Sequence, residues 1–342
     1  MNAILAKTDY IMALEQENDV EGCFRALISI ILRIGEDKTG AAITDMVNRL
    51  ISVTDAEVPG SRCRLRLQLL LVLFNLLSLD SIKYSTIMAV LKYAMDTKQA
   101  PGVAAFHTRV PGWVDTWKLN KQEQRNMYSL VRNLLQVSPA TANTADSRKY
   151  FLHYLSTFAK DAPLPADAAA YCISAVTEFV STSASAFDER ATLLDALSEK
   201  HVTSHSKLQS LRSILVIICN GSLAEYQAFA KQNDLQALNL DSTELEQNMR
   251  LLALCAVATT KDTMTYEEVA AALVVSVDEV ELWVVTAIAQ NVLEANLNQN
   301  TRVLTITRCS YRSFGMNQWQ DVQKKLRALR DSVSSVFDEM QR

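Results

Sequence analysis

The chain has 342 residues, 49% of them hydrophobic and 21% charged, with a formal net charge of −4. This composition describes an ordered globular protein, excludes a disordered tail, and gives no global pull toward nucleic acid. The longest apolar runs, Leu69–Phe74, Ile214–Cys219 and Val269–Val275, fall far short of the ~20 residues that a membrane-spanning helix needs. Met1–Val20 is mixed and acidic, with no secretory apolar stretch. Only eight glycines and six prolines are present, and every proline lies between Pro59 and Pro165, so helix dominates the expectation. The six cysteines (Cys23, Cys63, Cys172, Cys219, Cys255, Cys309) contain no C-x-x-C pair. They read as buried thiols of a cytoplasmic protein, not as a disulfide framework or a zinc cage.

From about residue 20 to 260 apolar residues recur at helical spacing. Helices are predicted near 20–34, 40–53, 62–78, 82–97, 112–118, 121–136, 140–160, 166–181, 188–198, 205–219, 222–232 and 244–259. Leu65–Leu77 and the run from Ser204 to Ile218 are apolar nearly all round, which calls for neighbours on two sides. Consecutive helices packed in pairs, each pair buried by the next, make an α-solenoid of degenerate repeats, although a compact bundle shows the same local pattern. No tetratricopeptide signature is visible.

Near residue 262 the period switches from 3.6 to 2. Thr265 with Glu268, and Ser276 with Glu279, each set a hydroxyl three residues before a carboxylate, the reciprocal capping pattern of a helix start. Thr263–Tyr266 is expected to open the first of these helices. Two strands, Val292–Leu297 and Arg302–Thr307, follow around the turn Asn298-Gln299-Asn300. Last comes a stripe of Trp319, Val322, Leu326, Leu329, Val333, Val336 and Met340, stepping by three and four for three heptads. The expected fold is all-α with a small α+β module. Its parts are a helical-repeat region at 1–261, a winged-helix module at 262–315 and a bundle helix at 316–342.

Enzymatic constellations are thin. His107, His153, His201 and His205 have no carboxylate placed for a triad. His201 and His205 have the spacing of two zinc ligands, but Val202, Thr203 and Ser204 lie where a zinc protease carries its glutamate. A polar helix start is the ordinary reading there. No phosphate-binding glycine loop, nucleophile elbow or kinase motif is present. No catalytic activity, cofactor, metal or small-molecule substrate is therefore expected.

Val277–Asn291 occupies the recognition position of a winged helix. It holds Asp278, Glu279 and Glu281 and no lysine or arginine, so a phosphate backbone would repel it. Cations gather instead at Arg302, Arg308, Arg312, Lys324, Lys325, Arg327 and Arg330, against Asp321 alone, a local +6. Contact with RNA phosphate or an acidic partner is one reading; a solvated helix face is the ordinary one. Arg62, Arg64 and Arg66 crowd the first turn of their helix, where the macrodipole disfavours each cation by ~0.3–1 kcal/mol. Acidic residues on a neighbouring helix are expected to offset this, with an anionic partner as the alternative. The terminal stripe belongs to a helix that is marginal alone in water, so it either folds back or enters a bundle with other chains. Its narrow, regular seam favours the bundle.

Helical repeats, a winged helix and a long C-terminal helix, in that order, resemble the PCI-domain subunits that scaffold the proteasome lid, the COP9 signalosome and eukaryotic translation initiation factor 3. Three segments are similar to the m-subunit family of the last. They are Arg64-Leu-Arg-Leu-Gln-Leu-Leu70 with Leu73-Phe74-Asn75, Gln247-Asn248-Met249-Arg250-Leu251-Leu252, and Tyr311-Arg-Ser-Phe-Gly315 with Gln318-Trp319-Gln320. They lie in order and span about residues 62 to 340; members usually carry more sequence ahead of the first repeats. The resemblance implies a cytoplasmic, non-catalytic scaffold in the PCI/MPN core that binds the small ribosomal subunit, with the a, f and h subunits as neighbours. In such assemblies winged helices join edge to edge and C-terminal helices gather into one bundle. The expected interface residues are the wing edge (Val303, Leu304, Ile306) and the terminal stripe. A subunit of the signalosome or proteasome lid shares these physics, and an RNA-binding adaptor using residues 302–330 is the third reading.

Overall fold

The protein is described by a computed structural model, which covers residues 8–340 apart from 34–35, 55–61, 79, 138–143, 204, 260, 311 and 313–315. Two compact units divide the chain, Met1–Thr157 and Phe158–Arg342. Both are helical, and a small sheet lies in the second. The helices predicted between residues 20 and 260 match observed ones to within a turn at each end, while the short helices Thr8–Met12, Ala100–Val103 and Glu199–Val202 carry too few residues to show a period.

In the first unit, helices Glu17–Leu32 and Glu36–Ile51 pack as one pair, and Cys63–Leu76 and Asp80–Asp96 as the next. The first helices of the two pairs stack on each other, and so do the second ones. Lys121–Val137 then packs on Asp80–Asp96 and pairs with Thr144–Ser156. This layering explains why most of Cys63–Leu76 is apolar: Leu65, Leu67, Leu69, Leu70, Leu73 and Phe74 are all buried, each worth ~1.5–3 kcal/mol of removed apolar surface, while Arg64, Gln68 and Asn75 form a narrow exposed strip. A tighter insertion links the layers, made of Ala100–Val103, the 3-10 turn Ala104–Arg109 and Val110–Thr116. Pro101 and Pro111 sit in the first turns of its two helices, where a missing N–H breaks no helical bond.

Two of the arginines at the start of Cys63–Leu76 reach backbone carbonyls. Arg66 is buried, and its Nη1 donates to the carbonyls of Arg49 (3.1 Å) and Leu50 (3.2 Å) in the last turn of Glu36–Ile51. Arg62 Nη1 donates to Leu14 O at 2.6 Å. For Arg66 the acceptors stand at a helix C-terminus, whose partial negative charge suits an arriving guanidinium.

In the second unit, Ser206–Asn220 packs against Ala166–Ser181, Phe187–Ala196 and Leu223–Gln232; the last of these leads to Ser242–Ala258. The same arginine device recurs: Arg190 is buried and donates to the carbonyls of Phe179, Thr182 and Ser183 at the end of Ala166–Ser181. His201, also buried, places Nε2 2.9 Å from Ala159 O, so its ring serves the backbone. The change of period near 262 lies inside this unit, where Ser242–Ala258 packs on the helix Tyr266–Leu273 and on the sheet.

That sheet comprises β1 (Thr263–Thr265), β2 (Leu293–Asn298) and β3 (Val303–Cys309), all antiparallel, in the order β1-β3-β2. The hairpin lies where alternation places it. Thr263–Thr265 is a correction: these residues pair with Val303–Thr305 before the helix begins at Tyr266. Thr265 still caps that helix reciprocally, with Glu268 N donating to Thr265 Oγ1 (3.3 Å) and Thr265 N to Glu268 Oε2 (3.0 Å). Ser276 makes no such cap, because Val277–Glu279 winds as a 3-10 turn ahead of the helix Val280–Ala289. An unpredicted box forms instead at Ser222 and Glu225.

Candidate protein-interaction surfaces

The terminal helix runs unbroken from Met316 to Met340. With no proline or glycine to interrupt it, its 3-4 spacing keeps one apolar stripe along its length. Leu326 and Leu329 are 60% and 61% exposed. Trp319, Val333 and Val336 are also exposed, Val322 is half-buried, and the Met340 side chain lies outside the described residues. Phe337 and Met316, outside the expected stripe, are exposed as well.

The wing has a different free edge from the one expected. Val303, Leu304 and Ile306 belong to β3, the middle strand. Val303 and Leu304 pair on both sides, Leu304 is fully buried, and Ile306 N donates to Asp262 O at 2.8 Å. Among the described residues no strand lies outside β1 or β2, so both are edges, and Leu293–Asn298 is the longer of the two. A register shift between Glu294 and Ala295, and the exposed Glu294, Asn296 and Asn298, restrict what can add there.

The basic cluster also divides. Arg312 is withdrawn from any external anion: Nε donates to Ile218 O (2.6 Å), Nη1 to Gly221 O (2.7 Å) and Nη2 to Ile217 O (2.6 Å), at the end of Ser206–Asn220. Burial lowers its pKa from the usual arginine value. Arg308 pairs across the hairpin with Glu294 at 3.2 Å, and Arg330 with Asp331 at 2.8 Å. Arg302 is exposed in the hairpin turn with φ 51, and Lys324, Lys325 and Arg327 are exposed on the terminal helix. Of the Tyr311–Gly315 segment, only Arg312 is among the described residues.

The helix at the recognition position, Val280–Ala289, turns Val280, Val284 and Ala287 inward and leaves Leu282 (68%) and Val285 exposed. Glu281 accepts hydrogen bonds from Tyr266 Oη (3.2 Å) and Gln299 Nε2 (2.9 Å), and Arg250 lies over the Trp283 ring at 5.4 Å. An apolar outer face without cations suits another protein better than a phosphate backbone. Nearby, contact with Cys309 and burial push the Cys255 thiol up, and Cys309 Sγ lies 3.6 Å from Cys255 O; neither is in a disulfide.

Residues 223–308, from the helix Leu223–Gln232 through β3, match the PCI domain family. This segment of the chain is thus similar to a PCI domain. The chain is also similar along most of its length to proteins named eukaryotic translation initiation factor 3 subunit M. The Dictyostelium discoideum protein is 24% identical over 94% of this chain and 79% of its own length. The human protein is 23% identical over 94% and 83%, and that of Pyricularia oryzae 26% over 95% and 76%. No helix among the described residues is long and apolar enough to cross a membrane.

Proposed function

We propose that this chain is a non-catalytic scaffold subunit of eukaryotic translation initiation factor 3, acting in the cytoplasm within the PCI/MPN core that engages the small ribosomal subunit. The observation that carries the reading is the exposed stripe of the terminal helix. Five to seven large side chains at ~1.5–3 kcal/mol each give on the order of 10–15 kcal/mol of gross burial once a bundle covers them. The open edge of β2 and the face bearing Leu282 and Val285 supply the second contact, in place of Val303, Leu304 and Ile306. The a subunit is the proposed neighbour at the winged helix, and the f and h subunits are the proposed bundle companions.

Native purification of the tagged chain followed by mass spectrometry tests the assignment. The expected companions are the other factor subunits and small-subunit ribosomal proteins; cullin-ligase components or proteasome ATPases would move the chain to the signalosome or the lid. The RNA-adaptor reading retains Lys324, Lys325, Arg327 and Arg330, whose side chains stand on the exposed helix. Reversing these four to glutamate would abolish RNA crosslinks and spare assembly if the adaptor reading held; loss of assembly, with no RNA bound by the isolated chain, removes it.

A further inference from the structure

Two of the three arginines at the start of Cys63–Leu76 are committed to carbonyls, and the third is not. Arg64 is exposed on the first turn, where the helix already presents outward N–H groups and disfavours a cation. Lys98 follows Asp80–Asp96 with φ 59, the left-handed cap position that ordinarily takes glycine or asparagine. Its conformation is held by Lys98 N to Met95 O (3.1 Å) and Gln99 N to Ala94 O (2.7 Å), so a lysine stands where a residue without a side chain would be less strained.

The two cations border one groove of ≈ 470 Å³. Leu67 and Leu71 line it, Gln68 and Gln99 add amide groups, and no carboxylate is among its lining residues. Neither Arg64 nor Lys98 has an ion-pair partner among the described residues. In a chain of net charge −4, this is a local positive site beside apolar surface.

We propose that this groove docks an acidic peptide segment of a partner protein, with carboxylates on Arg64 and Lys98 and an apolar side chain on Leu67 and Leu71. The Gln68 and Gln99 amides can both donate to and accept from the backbone of an extended peptide. Charge complementarity selects the occupant. A nucleic acid would ask for a longer row of cations and for aromatic rings on which bases stack, and the lining of this groove has two cations and no aromatic side chain. The site is independent of the winged helix and the terminal stripe, so its failure would leave the scaffold reading untouched.

Fluorescence anisotropy of the full chain tests it with three probes: a fluorescein-labelled peptide of repeated Asp-Glu-Leu-Leu, its Lys-Arg-Leu-Leu counterpart, and oligo-uridine RNA. The acidic peptide should bind saturably, more weakly at high salt, and roughly tenfold or more less tightly to Arg64→Glu. Lys98→Gly should weaken binding while melting no lower than the parent, since glycine suits the left-handed position; that result separates lost recognition from lost folding. No saturable binding, equal binding of the basic peptide, affinity unchanged in both variants, or preferential RNA binding that depends on Arg64 and Lys98 would each overturn the proposal.

Discussion

Replacing Arg312 with alanine removes three charge-assisted hydrogen bonds from the end of Ser206–Asn220 in one step. Each such bond contributes ~1.5–3 kcal/mol, and the carbonyls of Ile218 and Gly221 would lose this donor, while Ile217 O keeps the Gly221 N–H. The three share one guanidinium and do not add, so the expected loss is about 3–5 kcal/mol. At ~2–4 °C per kcal/mol for a unit of this size, the melting temperature should fall by about 6–20 °C. Calorimetry on the full chain reads the loss, and hydrogen exchange should place it in residues 206–221 and in the sheet that precedes Arg312. Arg312→Lys should recover less than half, because a point cation cannot reach three carbonyls as a planar fork does. A loss below ~1 kcal/mol for the alanine variant would refute the capping role and return Arg312 to the surface cations.

Other outcomes follow from the same contacts. Leu326→Asp with Leu329→Asp should release the chain from its complex in a pull-down, while circular dichroism of the isolated chain changes little; retention would refute the bundle assignment. Val274 adopts φ 55 and ψ 52 with its side chain 64% exposed, so Val274→Gly should raise stability by up to ~1 kcal/mol in a urea titration. Glu268 is held below the ordinary carboxylate range by the hydrogen bond from Lys261 and by the Thr265 N–H. A depressed folded-state pKa contributes stability above the ordinary value and loses it as the pH falls through the folded one. Glu268→Gln should therefore lower the urea midpoint at neutral pH, and the difference from the parent should shrink as the pH falls through the folded-state value.

The helical layers were legible because their apolar residues repeat locally. Leu65 to Phe74 points to packing on more than one side, since leucines and Phe74 occupy most of its positions. The stripe from Trp319 onward was equally plain in its spacing, and its exposure follows from a helix that continues past the sheet. Strand order was not legible. The hairpin showed as alternation, but β1 is three residues long and overlaps the capping signal of the next helix, so nothing local marked it as the strand that makes β3 central. The role of Arg312 was hidden for another reason: its carbonyl partners lie 91 to 95 residues earlier in the chain. Ser276 and Glu279 had the spacing of Thr265 and Glu268 but met a 3-10 turn, whose tighter winding gave the hydroxyl no N–H at the capping distance.

Hydrogen exchange across residues 316–340, on the free chain and on the purified complex, tests the open stripe most directly. The amides of this helix should exchange far faster than those of the buried Ser206–Asn220 helix in the free chain, and become protected on assembly. Equal protection in both states would mean that the stripe is already covered within the chain, and would contradict the account.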